Sequence, residues 1–213
     1  MELKEIYGNI VDGQTLEVES GVKAALVEGI GAEDILNKAL IAAMDEVGQR
    51  YEEGDLFVPE MLIAARSMQA GLQVLKPYLA KADVKAAGKI AIGTVKGDLH
   101  DIGKNLVAMM LEGSGFEVMD LGVDVAPEVF VNAAKEGAQL IGMSALLTTT
   151  MNNMEATLKL LDSAGLRDKV SIFIGGAPVT QEYANKIGAD GFAADASSAT
   201  RVARQLISEK ILQ

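Results

Sequence analysis

Cysteine is absent from the 213 residues. That excludes disulfides, thiolate metal sites and cysteine nucleophiles. Histidine occurs once, at His100. A protein-only zinc centre, which takes three or four protein ligands, therefore has no donor set here. Aromatic residues make up only 4%, and 19 Lys and Arg face 30 Asp and Glu, for a net charge of -11. Such a surface repels phosphates and anionic lipid, so neither a nucleic acid nor a membrane is expected as a partner. Long apolar runs are also missing: the most apolar stretch, near residues 140–147, is far shorter than the ~20 residues of a bilayer span. The opening MELKEIYGNIVDG has no signal-peptide core, and a cytoplasmic location is the expectation.

What is present is a core-forming composition, 49% hydrophobic with 23% charged residues, and an organisation in two parts. Up to about Ala80 the chain reads as helix. Ile35, Leu36, Leu40, Ala43, Met44 and Val47 recur at helical spacing within 32–52, as do Met61, Leu62, Ala65, Met68, Leu72 and Leu75 within 59–79. Residues 15–29 and a short opening segment add two more helices. KADVKAAGK, from Lys81 to Lys89, is small and polar and reads as a linker. Beyond it, short apolar runs alternate with amphipathic stretches through five βα units, the pattern of a parallel sheet covered on both faces. The predicted strands start near Lys89, Phe116, Gln139, Val170 and Gly191. The fold class is thus α + α/β: an N-terminal four-helix bundle over residues 1–84, then a flavodoxin-like (Rossmann-type) five-stranded parallel-sheet domain over 88–213.

In that strand order, ligands bind at the carboxyl edge where the first and third strands diverge. This singles out the loop after strand one, 95–101, and the loop after strand three, from Ser144. His100 falls in the first, within GDLHDIGKN, flanked by Asp98 and Asp101. A carboxylate can accept a hydrogen bond from one imidazole nitrogen and leave the other free for a metal. The plainer reading is that one aspartate caps the helix starting at Ile102. One histidine suits a metal that an organic ring already holds and that needs a single axial ligand. A flavin phosphate is disfavoured, because VKGDLHD places two acids where a phosphate would sit.

Three fragments carry a resemblance. Asp98-Leu99-His100-Asp101-Ile102-Gly103 matches the D-x-H-x-x-G motif of corrinoid-binding proteins, Ser144-Ala145-Leu146 their S-x-L motif, and Gly175-Gly176 their later glycine pair. The chain resembles the methyl-carrying corrinoid subunits of methanol and methylamine methyltransferase systems, and is similar to the cobalamin module of methionine synthase. The resemblance extends to the helical part, through EEGDLFVPEMLIAARSM.

The resemblance implies a cobalamin or related corrinoid as cofactor, cycling between cob(I)alamin and methylcobalamin. His100 would be the lower ligand to cobalt, Asp98 its hydrogen-bond partner, and Thr150 an extension of that relay. Gly97, Leu99, Asp101, Ile102, Gly103 and Leu146 would line the cofactor. Ser144, with Thr148 nearby, would contact its buried tail, and the glycines at 93, 97, 142, 175 and 176 would let that tail approach the backbone. The helical part would cap the corrinoid, with Phe57 and Met61, and beyond them Ala64, Ala65 and Met68, as an apolar roof that swings aside on the linker. The implied role is non-catalytic alone: it accepts a methyl group from a substrate-specific methyltransferase and yields it to an acceptor methyltransferase acting on a thiol or tetrahydrofolate, with a reductive-activation protein as a further partner. A mutase cobalamin subunit and a cobalamin-binding sensor share the sheet motifs and stand as the alternatives.

Overall fold

The computed structural model describes residues 2–82 and 84–211. Asp83, in the expected linker, lies outside the described residues, as do the first residue and the last two. The chain divides into two compact units, one of Met1–Ala86 with Glu112–Gly115, the other of Ala87–Leu111 with Phe116–Gln213.

The first unit is helical: α1 (Leu3–Val11), α2 (Thr15–Val27), α3 (Ala32–Ile35), α4 (Ala42–Glu52) and α5 (Val58–Lys81). A π-helical segment, Leu36–Ile41, joins α3 to α4 in unbroken right-handed geometry, so residues 32–52 form one rod and the unit has four rods among the described residues. The apolar periodicity buries Ile6 and Ile10, Val18 and Val22, Leu40, Met44 and Val47, and Met61, Met68 and Leu75. A buried serine, Ser67, finds its partners in Thr15 Oγ1 at 2.9 Å and the Ile63 carbonyl at 3.1 Å, as a hydroxyl inside an apolar core requires. Glu60 closes the start of α5 by accepting the Phe57 N–H at 2.9 Å, which puts Phe57 at the exposed corner just before the helix.

The second unit is a parallel sheet in the order β2-β1-β3-β4-β5, built from β1 (Lys89–Thr94), β2 (Glu117–Asp120), β3 (Leu140–Ser144), β4 (Ser171–Gly175) and β5 (Gly191–Ala193). The crossover helices are α6 (Ile102–Gly113), α7 (Pro127–Lys135), α8 (Asn152–Ser163) and α9 (Gln181–Ile187), followed by α10 (Ala196–Ile211). The central strands are apolar almost throughout because both faces are covered. Period-two alternation assigns each side chain: Ile141, Ile172 and Ile174 pack with Phe130, Met154, Leu158 and Ala184 of α7, α8 and α9, whereas Ile90, Ile92, Leu140 and Phe173 pack with Leu111, Ala199, Ala203 and Leu206 of α6 and α10. The chain runs from β1 outward to β2, then returns past β1 to β3. The divergence point of β1 and β3 thus opens at the carboxyl edge, the position expected from the sequence.

Candidate functional site

β1 ends at Thr94 in register with Ser144 of β3, and the two following loops meet at Asp98. Its side chain is fully buried although it sits in a loop, whereas that of His100 is 53% exposed. Burial of a carboxylate is tolerated only with full hydrogen bonding, and five donors converge on this one. Oδ1 accepts from His100 Nδ1 at 2.7 Å and from the His100 backbone N–H at 3.1 Å. Oδ2 accepts from the backbone N–H groups of Leu146 at 2.8 Å and Leu147 at 3.1 Å. Thr150 Oγ1 lies 2.9 Å from Oδ2 and equally near the Leu147 carbonyl. Burial pushes the Asp98 carboxyl up, but the His100 ring and the N–H groups of Leu146, His100 and Leu147 outweigh it and hold the group well below the usual carboxylate range. An ionised carboxylate only accepts, so Nδ1 carries the imidazole proton and the Nε2 lone pair is left for another electrophile.

The other site residues expected on the β1 and β3 loops are placed as follows. Leu99 and Ile102 are 71% and 80% exposed, and Leu146 and Leu147 are 44% and 41% exposed, so both loops that meet at Asp98 carry exposed apolar side chains. Asp101 occupies the position before α6. Its carbonyl accepts the Asn105 N–H at 2.7 Å and its carboxylate the Asn105 amide at 3.1 Å, so neither aspartate's side chain caps the helix through the backbone. Gly97 turns the loop at φ +82°. Gly103 lies exposed in the first turn of α6, and Thr148 is exposed in the β3 loop. Ser144 is half-buried, and its hydroxyl makes no hydrogen bond among the described residues.

Two expectations change on contact with the structure. Met61 is fully buried; it has no free surface with which to roof a ligand, whereas Phe57 is 66% exposed. Ala64, Ala65 and Met68 are buried likewise. Four of the five glycines expected to admit a bulky tail, all but Gly97, sit against the protein's own atoms. A side chain at Gly142 would meet the Phe173 ring at 2.7 Å, one at Gly93 the Phe130 ring at 3.0 Å, and one at Gly175 the Ala193 carbonyl at 2.8 Å. Gly176, at φ +122°, would bring a Cβ within 1.9 Å of the Ala145 carbonyl. The space that these residues free is taken by side chains and by neighbouring loop backbone.

Sequence reasoning missed the β2 loop. Asp124 accepts the Gly97 N–H at 2.7 Å, and Asp120 receives Lys104 Nζ at 2.6 Å on both oxygens. Their position at the end of β2 and in the loop after it, on the same sheet edge as His100, was the available signal.

The donor set discriminates among metals. Among the described residues no group of three or more His, Asp or Glu could hold an ion, which leaves one half-exposed imidazole whose Nδ1 is engaged by Asp98. That suits a broad, largely apolar ring carrying its own metal with an axial position open.

Comparison with known proteins agrees. A family model described as a B12 binding domain matches residues 88–203, and a second of the same description matches residues 2–76. The chain is 43% identical over 210 residues to dimethylamine corrinoid protein 2 of Methanosarcina acetivorans, covering 98% of this chain and 97% of that one. The chain belongs to the corrinoid-protein family. It is 47% identical over 177 residues to the dimethylamine corrinoid protein of Methanosarcina barkeri, 82% of this chain and 83% of that one. Among solved structures, the methanol:cobalamin methyltransferase complex of Methanosarcina barkeri matches with a TM-score of 0.86 at 30% identity, over 97% of this chain and 79% of that one. A cobalamin-binding protein of Desulfitobacterium hafniense matches with a TM-score of 0.80 at 32% identity, over 97% and 98%. The cofactor of this corrinoid protein is cobalamin or a related corrinoid, and no helix among its described residues is long and apolar enough to cross a membrane.

Proposed function

We propose that this corrinoid protein carries a methyl group from a methyltransferase specific for a methylated amine to a second methyltransferase that delivers it to a thiol or a folate. The observation that carries the proposal is the buried, ionised Asp98 holding the sole histidine by Nδ1 with Nε2 free. Its support is likeness to dimethylamine corrinoid proteins over nearly the whole chain. When bound, the corrinoid supplies a cobalt that accepts and releases the methyl group.

The chain's own residues bind and tune. His100 Nε2 would hold the cobalt. The Asp98 carboxylate makes the ring more electron-rich through Nδ1 and fixes its plane. Thr150 Oγ1, 2.9 Å from Asp98 Oδ2, would hold or pass a proton at that oxygen. Leu99, Ile102, Leu146 and Leu147 present apolar surface to the ring and keep water from its lower side. Phe57 presents an exposed aromatic face on the helical unit. A reductive-activation protein completes the set of partners.

The test is methyl loading. The protein reconstituted with cobalamin and reduced to the cobalt(I) form is mixed with dimethylamine, trimethylamine or methanol, each with its own methyltransferase. Absorption is expected to change to that of the methylated corrinoid with an amine and its enzyme. Tight corrinoid binding with no methylation from any donor would refute the carrier reading, and methylation from methanol alone would move the donor class.

A further inference from the structure

The loops after β1 and β3 supply the pair described above, but the loop after β2 grips the same segment from its other side. We propose that Asp124 is a positioning residue that sets His100 for axial coordination by clamping the β1 loop; the inference rests on the corrinoid reading of the site. Asp124 has φ 53° and is the one non-glycine residue of positive φ among the described residues. That conformation is unfavourable for a residue with a Cβ, and a glycine would adopt it freely. The carboxylate is what a glycine would lack, and it is fully employed.

Asp124 meets three consecutive residues of the β1 loop. Its carboxylate takes the Lys96 ammonium at 3.2 Å, and its Oδ1 the Gly97 N–H at 2.7 Å. Its own N–H donates to the Asp98 carbonyl at 2.9 Å. The Gly97 N–H, with Lys96 beside it, holds the Asp124 carboxyl below its ordinary value, so it stays an acceptor. Gly97, at φ +82°, is the flexible point of the loop, one residue before Asp98, and Asp124 pins that point. The loop is also held by Asn153 Nδ2 on the Lys96 carbonyl at 2.8 Å and by Thr94 Oγ1 on the His100 carbonyl at 2.9 Å. Asp98 is thereby fixed twice, its carbonyl through Asp124 and its carboxylate through the β3 loop. The imidazole, more than half exposed, takes its direction from that frame alone. Without the Asp124 acceptor, Gly97 loses its side-chain hold, the loop ahead of Asp98 loosens against its remaining bonds, and Nε2 points less steadily at one place.

The experiment uses the full chain loaded with cob(II)alamin and reads electron paramagnetic resonance at fixed pH. With the protein's histidine labelled with 15N, the doublet from its nitrogen, as against the triplet from the cofactor's own base, reports the share of molecules with imidazole on cobalt. Wild-type protein shows the doublet and His100→Ala does not; its absence from wild type would end the His100 reading itself, and this inference with it. With the doublet present in wild type, Asp124→Ala lowers the on/off ratio about fivefold, the scale of one net hydrogen bond. Asp124→Gly, which relieves the φ strain but removes the acceptor, lowers it likewise. Asp124→Asn keeps a carbonyl acceptor, tolerates positive φ and retains the wild-type ratio. A wild-type ratio in the Ala or Gly variant, or an Asn variant as low as Ala, overturns the assignment.

Discussion

Replacing Asp98 with Asn changes no volume and should still silence His100 as a ligand. The carboxylate has acceptors on both sides: Oδ2 faces the Leu146 and Leu147 N–H groups, and Oδ1 faces the His100 ring and N–H. An amide has one acceptor and one donor. Turned so that its oxygen serves the two leucine N–H groups, it directs NH2 at His100 Nδ1, which must then be unprotonated, and the proton moves to Nε2. Turned the other way, NH2 faces two backbone N–H groups inside a buried pocket. Each hydrogen bond to the charged group contributes about 1.5–3 kcal/mol, and the first orientation sacrifices the His100 backbone contact only, so it wins. Loss of that contact and of the charge should lower the stability of the α/β unit by about 2–3 kcal/mol. Corrinoid affinity should fall about 10- to 100-fold, the usual scale for losing the partner of a metal-bound histidine. The chain has a single histidine, so long-range nitrogen–proton correlation spectra of the ligand-free protein at alkaline pH report this ring alone. Wild type should show the Nδ1–H tautomer and Asp98→Asn the Nε2–H tautomer. The same tautomer in both folded proteins would refute the reasoning.

Three further outcomes are expected. Gly176→Ala, whose new Cβ would sit 1.9 Å from the Ala145 carbonyl, should cost about 3 kcal/mol or more in denaturant unfolding; a loss below about 1 kcal/mol would show that the β3 and β4 loops separate easily. Lys104 and Asp120 should respond unequally, because the lysine side chain is 2% exposed and the aspartate 47%. Asp120→Ala strands a buried ammonium and should cost about 3 kcal/mol, whereas Lys104→Met leaves a solvated carboxylate and should cost under about 1 kcal/mol; equal losses would contradict this. Tyr7 is raised to about 12 by its hydrogen bond to Glu46, then by burial and by the charges of Glu46 and Asp45. The unfolded phenol ionises near pH 10, so this contribution to the helical unit is complete below pH 10 and is lost between there and about 12. Thermal melts across that window should steepen in wild type relative to Tyr7→Phe, and parallel curves would reject the assignment.

The sequence exposed what depends on periodicity and local composition. Alternating runs marked the parallel strands within a residue or two, because central strands buried on both faces carry an unmistakable apolar signal. His100 was conspicuous as the only imidazole, and Asp98 by its distance of two residues. The groups that hold Asp98 from across the sheet were hidden, since backbone N–H groups at Leu146 and Leu147 have no residue signature. The π-helical segment at Leu36–Ile41 carries no glycine or proline to announce it. Met61 sits on the same apolar stripe as neighbouring core residues, and no pattern in the chain distinguishes a stripe that covers a ligand from one that fills a bundle. Asp124 was overlooked because its value lies in a backbone angle, which residue type records only weakly.

Most of what tethers Asp98 is written in main chain: the N–H groups of His100, Leu146 and Leu147 need no particular side chain to act. The anchor is therefore insulated from drift at positions 146 and 147, where any residue other than proline that keeps the loop's path preserves it. Those two exposed side chains can change shape and polarity while the His100 imidazole stays locked on Asp98.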